Sequence, residues 1–505
     1  MNRTILAKLV KLNIITPGGI CCLASCFARD GISLMALLRF SARYYPDRCG
    51  LVSDGKRFTY REMYDLAQRL TRALHADYGL KAGTNVGLLC RSHYMGALLL
   101  PALSRLGVRI KLVNTDMAST KLMEFVEHND LKLLIHDAEL KGTRIPEGLP
   151  CLTRETEDLF DALSLKRGND ETSIPHVTRG GDISVFTGGS SGRYKEAPRR
   201  MSIFQFMPPF FALLEVLRID EYDSVFLPLP VYHGFGLSTL IISLLMGKKI
   251  CLAKRFDADE ALKTISREHI EVLPLVPAML ARLWQSDEAP SLMQGVRCII
   301  SGGDQLDKKW IDLTTRHLGN VVFNLYGTSE AGFFMVATPE DLARSQEVTI
   351  GRPIRGVRCK VGNPDSHGIG PLWVRSGWAM VSMKDKWQNT GDLVQRNAEG
   401  LYFYRGRTDN MVVCGGENVY PEHVERVINN HPDVVASVVY PASDPRIGTV
   451  LNARIELVPG STLTLDDIRS WLQSRLSRAE MPHQLQVGPI PVLETGKIAR
   501  AEAGQ

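Results

Sequence analysis

The feature that most constrains this chain is an alternation of short, almost wholly apolar runs with longer stretches rich in Leu and Ala. Asn85-Val86-Gly87-Leu88-Leu89-Cys90 is followed by Met95 to Leu106, then Val108 to Val113, then Leu131 to His136. A short apolar run bounded by turn residues reads as a strand buried on both faces. The stretches between such runs are long enough for a helix to cross to a parallel neighbour. The rhythm pauses over residues 141–181, which read as a polar connecting segment. It resumes at Ile183 to Thr187, Ser224 to Pro228, Lys249 to Ala253, Val272 to Val276 and Cys298 to Ser301. After Gly351 the pattern changes to short strands and Gly turns, and beyond Arg407 a smaller α+β unit begins. A chain of 505 residues is more than one core supports. The expected domains are therefore 1–407 and 408–505, within an α/β fold class.

Charge and cysteine usage remove several classes of function. The net charge of +5 is spread along the chain without a Lys/Arg block, so no nucleic-acid partner is expected. The ten cysteines include no CxxC pair and no Cys/His ligand spacing, which argues against zinc and for scattered thiols in a reducing cytoplasm. Lys8 and Lys11 precede an apolar stretch from Leu12 to Ala28, interrupted by Thr16-Pro17-Gly18-Gly19. That stretch is short for a membrane span and meets the criteria for a secretion signal only in part. The expectation is an amphipathic arm that packs on the body or touches a membrane surface.

The candidate chemistry lies in ordered motifs. Phe186-Thr187-Gly188-Gly189-Ser190-Ser191-Gly192-Arg193-Tyr194-Lys195-Glu196 follows an expected strand. Such a loop can turn backbone N–H groups and hydroxyls toward a phosphate. It is not a Walker loop, since Lys195 is not followed by Ser or Thr. Asn324-Leu325-Tyr326-Gly327-Thr328-Ser329-Glu330, Asn389-Thr390-Gly391-Asp392, Arg405-Gly406-Arg407-Thr408-Asp409 and Glu494-Thr495-Gly496-Lys497 come later, with Gly415-Gly416 between the last two. Each fragment alone could be turn chemistry; their order and spacing make the case.

Taken together, these motifs resemble the acyl-CoA synthetases of the adenylate-forming superfamily, over residues of about 35 to 502. The resemblance implies a large N-terminal domain of layered α/β subdomains plus a β-barrel-like subdomain, and a small mobile α+β C-terminal domain. It implies ATP, carried forward as AMP in an acyl-adenylate, with Mg²⁺ and coenzyme A. By the same resemblance Gly302, Gly303, Asp304 and Tyr326 wall the adenine, with Asn324 and Gly327 beside them and Thr187 in the phosphate loop. Asp392 and Arg407 take the ribose, Thr328 the α-phosphate, and Glu330 the metal. Lys497 stabilises charge during adenylation, Asp409 sits at the hinge, and Gly415 and Gly416 line the pantetheine tunnel. Tyr232, His233 and Phe235 match the acyl pocket. Amino-acid-activating relatives hold the substrate ammonium there with an Asp, and none occurs between Pro228 and Thr239. An unpaired buried ammonium is costly, so an apolar or aromatic monocarboxylic acid is expected.

The phosphate loop departs from the family pattern. Gly188 stands where the family has Ser, Tyr194 where it has Pro, and Glu196 where it has Gly. A hydrogen bond to a charged group contributes ~1.5–3 kcal/mol, and a like charge at 4 Å costs about 4 kcal/mol at an effective dielectric of 20. Together these slow ATP use by roughly two to four orders of magnitude. Several readings stay open at this level. They are a full acyl-CoA ligase, an enzyme that only thioesterifies acyl-AMP from a separate adenylating enzyme, a ligase loading a carrier protein, and an inactive acyl-nucleotide binding protein.

Overall fold

A computed structural model of the chain describes residues 3–165, 173–188, 194–199, 203–328, 330–379, 384–414, 417–444, 448–493 and 497–499. They form two compact units: Met1–Phe256 with Glu268–Pro274 and Trp378–Ser382, and Asp257–Arg267 with Leu275–Gly377 and Met383–Gln505.

In the first unit the alternation of apolar runs becomes parallel sheet. The strands Leu152–Glu155, Leu133–His136, Asn85–Leu89, Arg109–Leu112 and Ile183–Gly188 lie side by side in that order, all parallel, and Tyr194–Arg199 closes the edge antiparallel. A second group of strands runs Lys56–Thr59, Cys49–Ser53, Lys249–Leu252, Ser224–Leu227, with Val272 paired to Val225. The helix Tyr60–Tyr78 is set by its ends. Thr59 and Glu62 form a reciprocal capping box, and Gly79 at φ +58 stops it. Its buried residues Met63, Ala67, Leu70 and Leu74 fall three and four apart, along one face of a helix.

Two expectations are refined here. Residues 141–181 read as an irregular connector, yet they hold the strand Leu152–Glu155 and the helix Thr156–Leu165. The strand lies at a sheet edge with alternate residues exposed, so it lacks the continuous apolar run of its neighbours. The N-terminal arm is two helices, Arg3–Lys11 and Pro17–Asp30, that pack on the body. Ile5, Leu9 and Leu12 are buried, and Lys8 Nζ donates to Asp220 at 2.7 Å and to the Leu214 carbonyl at 2.9 Å. Thr16-Pro17 marks a helix start: Thr16 Oγ1 caps by accepting from Gly19 N at 3.0 Å, and Pro17 occupies the first turn. Among the described residues no helix is long and apolar enough to cross a membrane.

The second unit carries three sheet systems. Cys298–Gly302 pairs parallel with Val322–Thr328, which turns back antiparallel into Gly332–Ala337 and then Arg352–Pro353. The expected β-barrel-like part is an antiparallel sheet of Arg358–Val361, Ile369–Arg375, Gln388–Arg396 and Tyr402–Arg407, sharing a core of Phe334, Leu372, Val374, Val394 and Tyr402. The C-terminal lobe packs the helices Pro421–Asn429 and Leu465–Gln473 on the strands Val434–Asp444, Gly448–Leu457 and Gln484–Val487. Its own core includes Val424, Ile428, Val439, Leu451, Ile455 and Leu472.

Candidate active site

The second unit gathers most of the candidate residues at strand ends. Gly302 ends its strand beside Leu325, so the Gly302-Gly303-Asp304 turn leaves the sheet next to Tyr326. Gly303 has φ +89, a conformation that glycine adopts without strain. A ligand cleft at the carboxyl ends of parallel strands is the general rule for such sheets. At Gly327 a Cβ would lie 2.4 Å from the Gly332 carbonyl oxygen and 2.5 Å from Phe333 Cα, so the hairpin closes only over glycine. Thr328 Oγ1 accepts from Ala331 N at 3.1 Å, and Glu330 lies in the same turn. Asn324 is buried, and its Nδ2 donates to the Thr349 carbonyl at 2.9 Å. That bond places Asn324 under the site as a brace.

Asp392 is the centre of a chain of polar contacts. The sheet register sets it opposite Arg407. The Tyr326 hydroxyl donates to its Oδ2, and Arg407 Nη1 donates to its Oδ1 at 2.9 Å. Arg407 also reaches Asp409 with two donors, Nε at 2.7 Å and Nη2 at 3.0 Å. Burial pushes the Asp392 carboxyl above the usual range, while Tyr326 and Arg407 pull it back. Arg407 holds the Asp409 carboxyl below that range. A carboxylate has about four lone-pair sites. Asp392 uses two of them here and keeps acceptor capacity for a pair of ligand hydroxyls.

Lys497 reaches the same wall. Leu493 N donates to the Lys497 carbonyl and Ala499 N to the Pro491 carbonyl, each at 2.8 Å, so the segment of Lys497 pairs antiparallel with residues 491–493. Ile490, just before that pairing, is held by a 2.9 Å bond from its N–H to Glu456. A Cβ at Gly303 would lie 3.4 Å from Lys497 Cε and 3.8 Å from Nζ. Two segments nearly two hundred residues apart thus meet at one glycine.

In the first unit the segment expected to line the acyl pocket leads into the helix Gly234–Leu245, with no side-chain cap at its start. Tyr232 is buried, and the Thr115 hydroxyl donates to its Oη at 3.0 Å. The Tyr232 and His233 rings stand 4.9 Å apart, His233 at the helix N-cap and Phe235 in its first turn. Gly236 is required: a Cβ there would lie 2.2 Å from the Pro230 carbonyl oxygen. Sequence reasoning missed the brace beneath. Ser92 Oγ donates to the Leu229 carbonyl and accepts from Val231 N, at 3.2 and 3.0 Å. Next to it the fully buried His93 Nε2 shares a 2.7 Å bond with Asp137, whose carboxyl also accepts from Arg91 N and Thr156. The signal available was a Ser-His pair at a strand-to-helix turn.

The phosphate-loop flanks form an antiparallel pair with Phe186 opposite Glu196, Thr187 opposite Lys195 and Gly188 opposite Tyr194. Gly189, Ser190, Ser191 and Gly192 lie outside the described residues, as do Gly415 and Gly416.

The donor set suits a hard cation held mainly by phosphate and water. Among the described residues no cluster of three or more His, Cys, Asp or Glu side chains forms; Mg²⁺ is commonly held by one or two carboxylates together with phosphate and water, and Glu330 is the carboxylate expected in that place.

A glycine turn at the end of a strand, a buried carboxylate with acceptor capacity to spare and a lysine from the C-terminal lobe lie in one unit, as expected of a nucleotide-handling enzyme. The chain belongs to the AMP-binding enzyme family: residues 38–382 match that family's model, and residues 423–497 match the AMP-binding enzyme C-terminal domain. It is 26% identical to the 2-succinylbenzoate–CoA ligase of Bacillus licheniformis over 484 residues, covering 92% of this chain and 98% of the relative. With the enzyme of the same name from Staphylococcus aureus it is 25% identical over 482 residues, covering 89% and 95%. Two solved structures share the fold. The anthranilate CoA ligase AuaEII with anthranoyl-AMP has a TM-score of 0.81 at 20% identity, covering 93% of this chain and 96% of that one. The o-succinylbenzoate CoA synthetase MenE of Bacillus subtilis with its acyl-adenylate OSB-AMP has 0.78 at 22%, covering 92% and 97%.

Proposed function

We propose that this chain is an acid–thiol ligase that converts a carboxylic acid, through acyl-AMP, to its coenzyme A thioester. The observation that carries the reading is Lys497 set against Gly303 in the unit that holds Tyr326, Asp392 and Arg407. A carboxylate oxygen attacks the α-phosphorus of ATP and pyrophosphate leaves. Lys497 stabilises the charge shared between carboxylate and α-phosphate, an electrostatic role that suits a preorganised cation. Gly303 and Tyr326 stack the adenine, Asp392 and Arg407 hold the ribose, and Thr328 contacts the α-phosphate. Mg²⁺, when bound through Glu330, offsets the phosphate charge. The thiolate then attacks the acyl carbonyl carbon and AMP departs. The C-terminal domain, residues 408–505, turns about Asp409 between the two steps, and Gly415 and Gly416 line the path of the thiol.

Tyr232, His233 and Phe235 bound the acyl pocket, where His233 orients the acid. An aromatic or apolar acid fits, and the relatives' acids, 2-succinylbenzoate and anthranilate, come first in a screen. The departures at Gly188, Tyr194 and Glu196 favour a slow first step, and so a second reading in which a separate enzyme supplies the adenylate. The test is a panel of aromatic acids with ATP, Mg²⁺ and coenzyme A, followed by pyrophosphate and thioester. Thioester from ATP supports the main reading, thioester only from synthetic acyl-AMP supports the second, and thioester from neither refutes both.

A further inference from the structure

The helix Lys308–Leu318 begins a few residues after the glycine wall, and its second residue does not turn to solvent. Lys309 Nζ donates to the Asn429 carbonyl at 2.6 Å and to the Val434 carbonyl, and stands 3.5 Å from the His431 carbonyl. These carbonyls surround the end of the helix Pro421–Asn429. The last carbonyls of a helix lack partners within it and carry the negative end of its dipole, so an ammonium placed there is a strong cap. The neighbouring Asp307 carboxylate accepts a hydrogen bond from the Asn429 side chain. Asn429 Oδ1 in turn accepts from Ser437 Oγ at 2.7 Å, inside the C-terminal lobe. One cation and one anion from the same helix start thus grip a single turn. Burial lowers Lys309 to about 8 and raises Asp307 to about 6, so both stay charged near neutrality.

The gripped turn and Lys497 belong to one packed body. Val434 opens the strand Val434–Asp444, and that strand's Val438 packs against Ile490 and Ile498, on either side of Lys497. A shift of the turn therefore carries Lys497 with it. Packed cores transmit displacement rather than absorb it.

We propose that Lys309 is a positioning residue for acyl-adenylate formation: through the carbonyls of Asn429, His431 and Val434 it holds the C-terminal lobe in the posture that sets Lys497 at Gly303. The grip is released before the thiol step. This rests on the ligase reading above. Lys309 touches no substrate, and its effect is confined to the half-reaction that needs Lys497 at the wall.

The experiment measures the two half-reactions separately in the full-length protein, for wild type, Lys309→Met and Asn429→Ala. The first readout is pyrophosphate released from ATP by 2-succinylbenzoate; the second is thioester from synthetic 2-succinylbenzoyl-AMP and coenzyme A. Loss of two or three charge-assisted bonds in Lys309→Met slows the first by ~10- to 100-fold and leaves the second within about 2-fold. Asn429→Ala, altered on the opposite side of the contact, gives the same split at smaller size. Equal rates in both half-reactions, or a parallel fall in both, overturn the proposal, the parallel fall marking a purely structural residue. The same pair of assays is run with the acid that the panel above selects, and if wild type gives neither product with any acid of the panel, the ligase reading is what fails. Hydrogen exchange then decides for Lys309: exchange over residues 429–434 rises in Lys309→Met while the strand Gly448–Leu457 is unchanged, and equal exchange over 429–434 overturns the assignment.

Discussion

Replacing Asp392 by Ala separates a nucleotide-binding carboxylate from a structural one. The residue is 6% exposed and its carboxylate receives two protein donors, the Tyr326 hydroxyl and Arg407 Nη1. Arg407 keeps both bonds to Asp409 in the variant, so its charge is not stranded. The Tyr326 hydroxyl loses its acceptor and Arg407 Nη1, which is partly exposed, loses one as well; together this costs about 1–3 kcal/mol of folding stability. Two ribose hydroxyls on an ionised carboxylate contribute ~3–6 kcal/mol together. AMP affinity should therefore fall by roughly 10²- to 10⁴-fold. Titration calorimetry with AMP reads the affinity, and differential scanning fluorimetry reads the Tm. A lowered Tm with AMP affinity within ~3-fold of wild type would refute the argument, because Asp392 would then hold Tyr326 and Arg407 and nothing else.

Lys248 is buried, its Nζ donates to the Tyr222 carbonyl, and burial lowers it to about 8 from 10.5. Below pH 8 both folded and unfolded chains carry this charge, and the folded one does so at the cost of burying it. Between about 8 and 10.5 the folded chain has released the proton and the unfolded chain has not, so stability from this group rises with pH, by up to ~3 kcal/mol. Denaturant unfolding at pH 7.5 and 10 should show that gain in wild type and its loss in Lys248→Met. Gly236→Ala places a methyl against the Pro230 carbonyl, which backbone cannot yield; a loss of about 1–3 kcal/mol is expected, with a raised KM for the acid in steady-state assays. The double reversion Gly188→Ser with Glu196→Gly should raise ATP-dependent pyrophosphate release by at least ~10-fold, and leave thioester formation from acyl-AMP unchanged.

The sheets of the first unit were legible because fully buried parallel strands need continuous apolar runs, and Asn85–Leu89 and Ser224–Leu227 have them. The edge strand Leu152–Glu155 was not, since a half-exposed strand has no such run. Motif order singled out Tyr326, Asp392 and Arg407, and strand register and hydrogen bonds bring the three together. What escaped was contact between distant segments. Nothing in Asp307-Lys308-Lys309 indicates that its second lysine caps a helix more than a hundred residues later. Likewise the Ser92–His93–Asp137 brace unites the ends of different strands, and no spacing rule reports it. Asn324 lies in the same motif as Tyr326, and its Nδ2 bond to the Thr349 carbonyl is a contact that the motif does not report.

The most direct measurement follows oxygen. When the enzyme is given a carboxylic acid labelled with ¹⁸O at both carboxyl oxygens, with ATP, Mg²⁺ and coenzyme A, one labelled oxygen must leave with AMP, because it bridged carbon and phosphorus in the anhydride. Mass spectrometry should find AMP carrying a single ¹⁸O in step with each thioester formed. Thioester accompanied by unlabelled AMP would contradict the acyl-adenylate route.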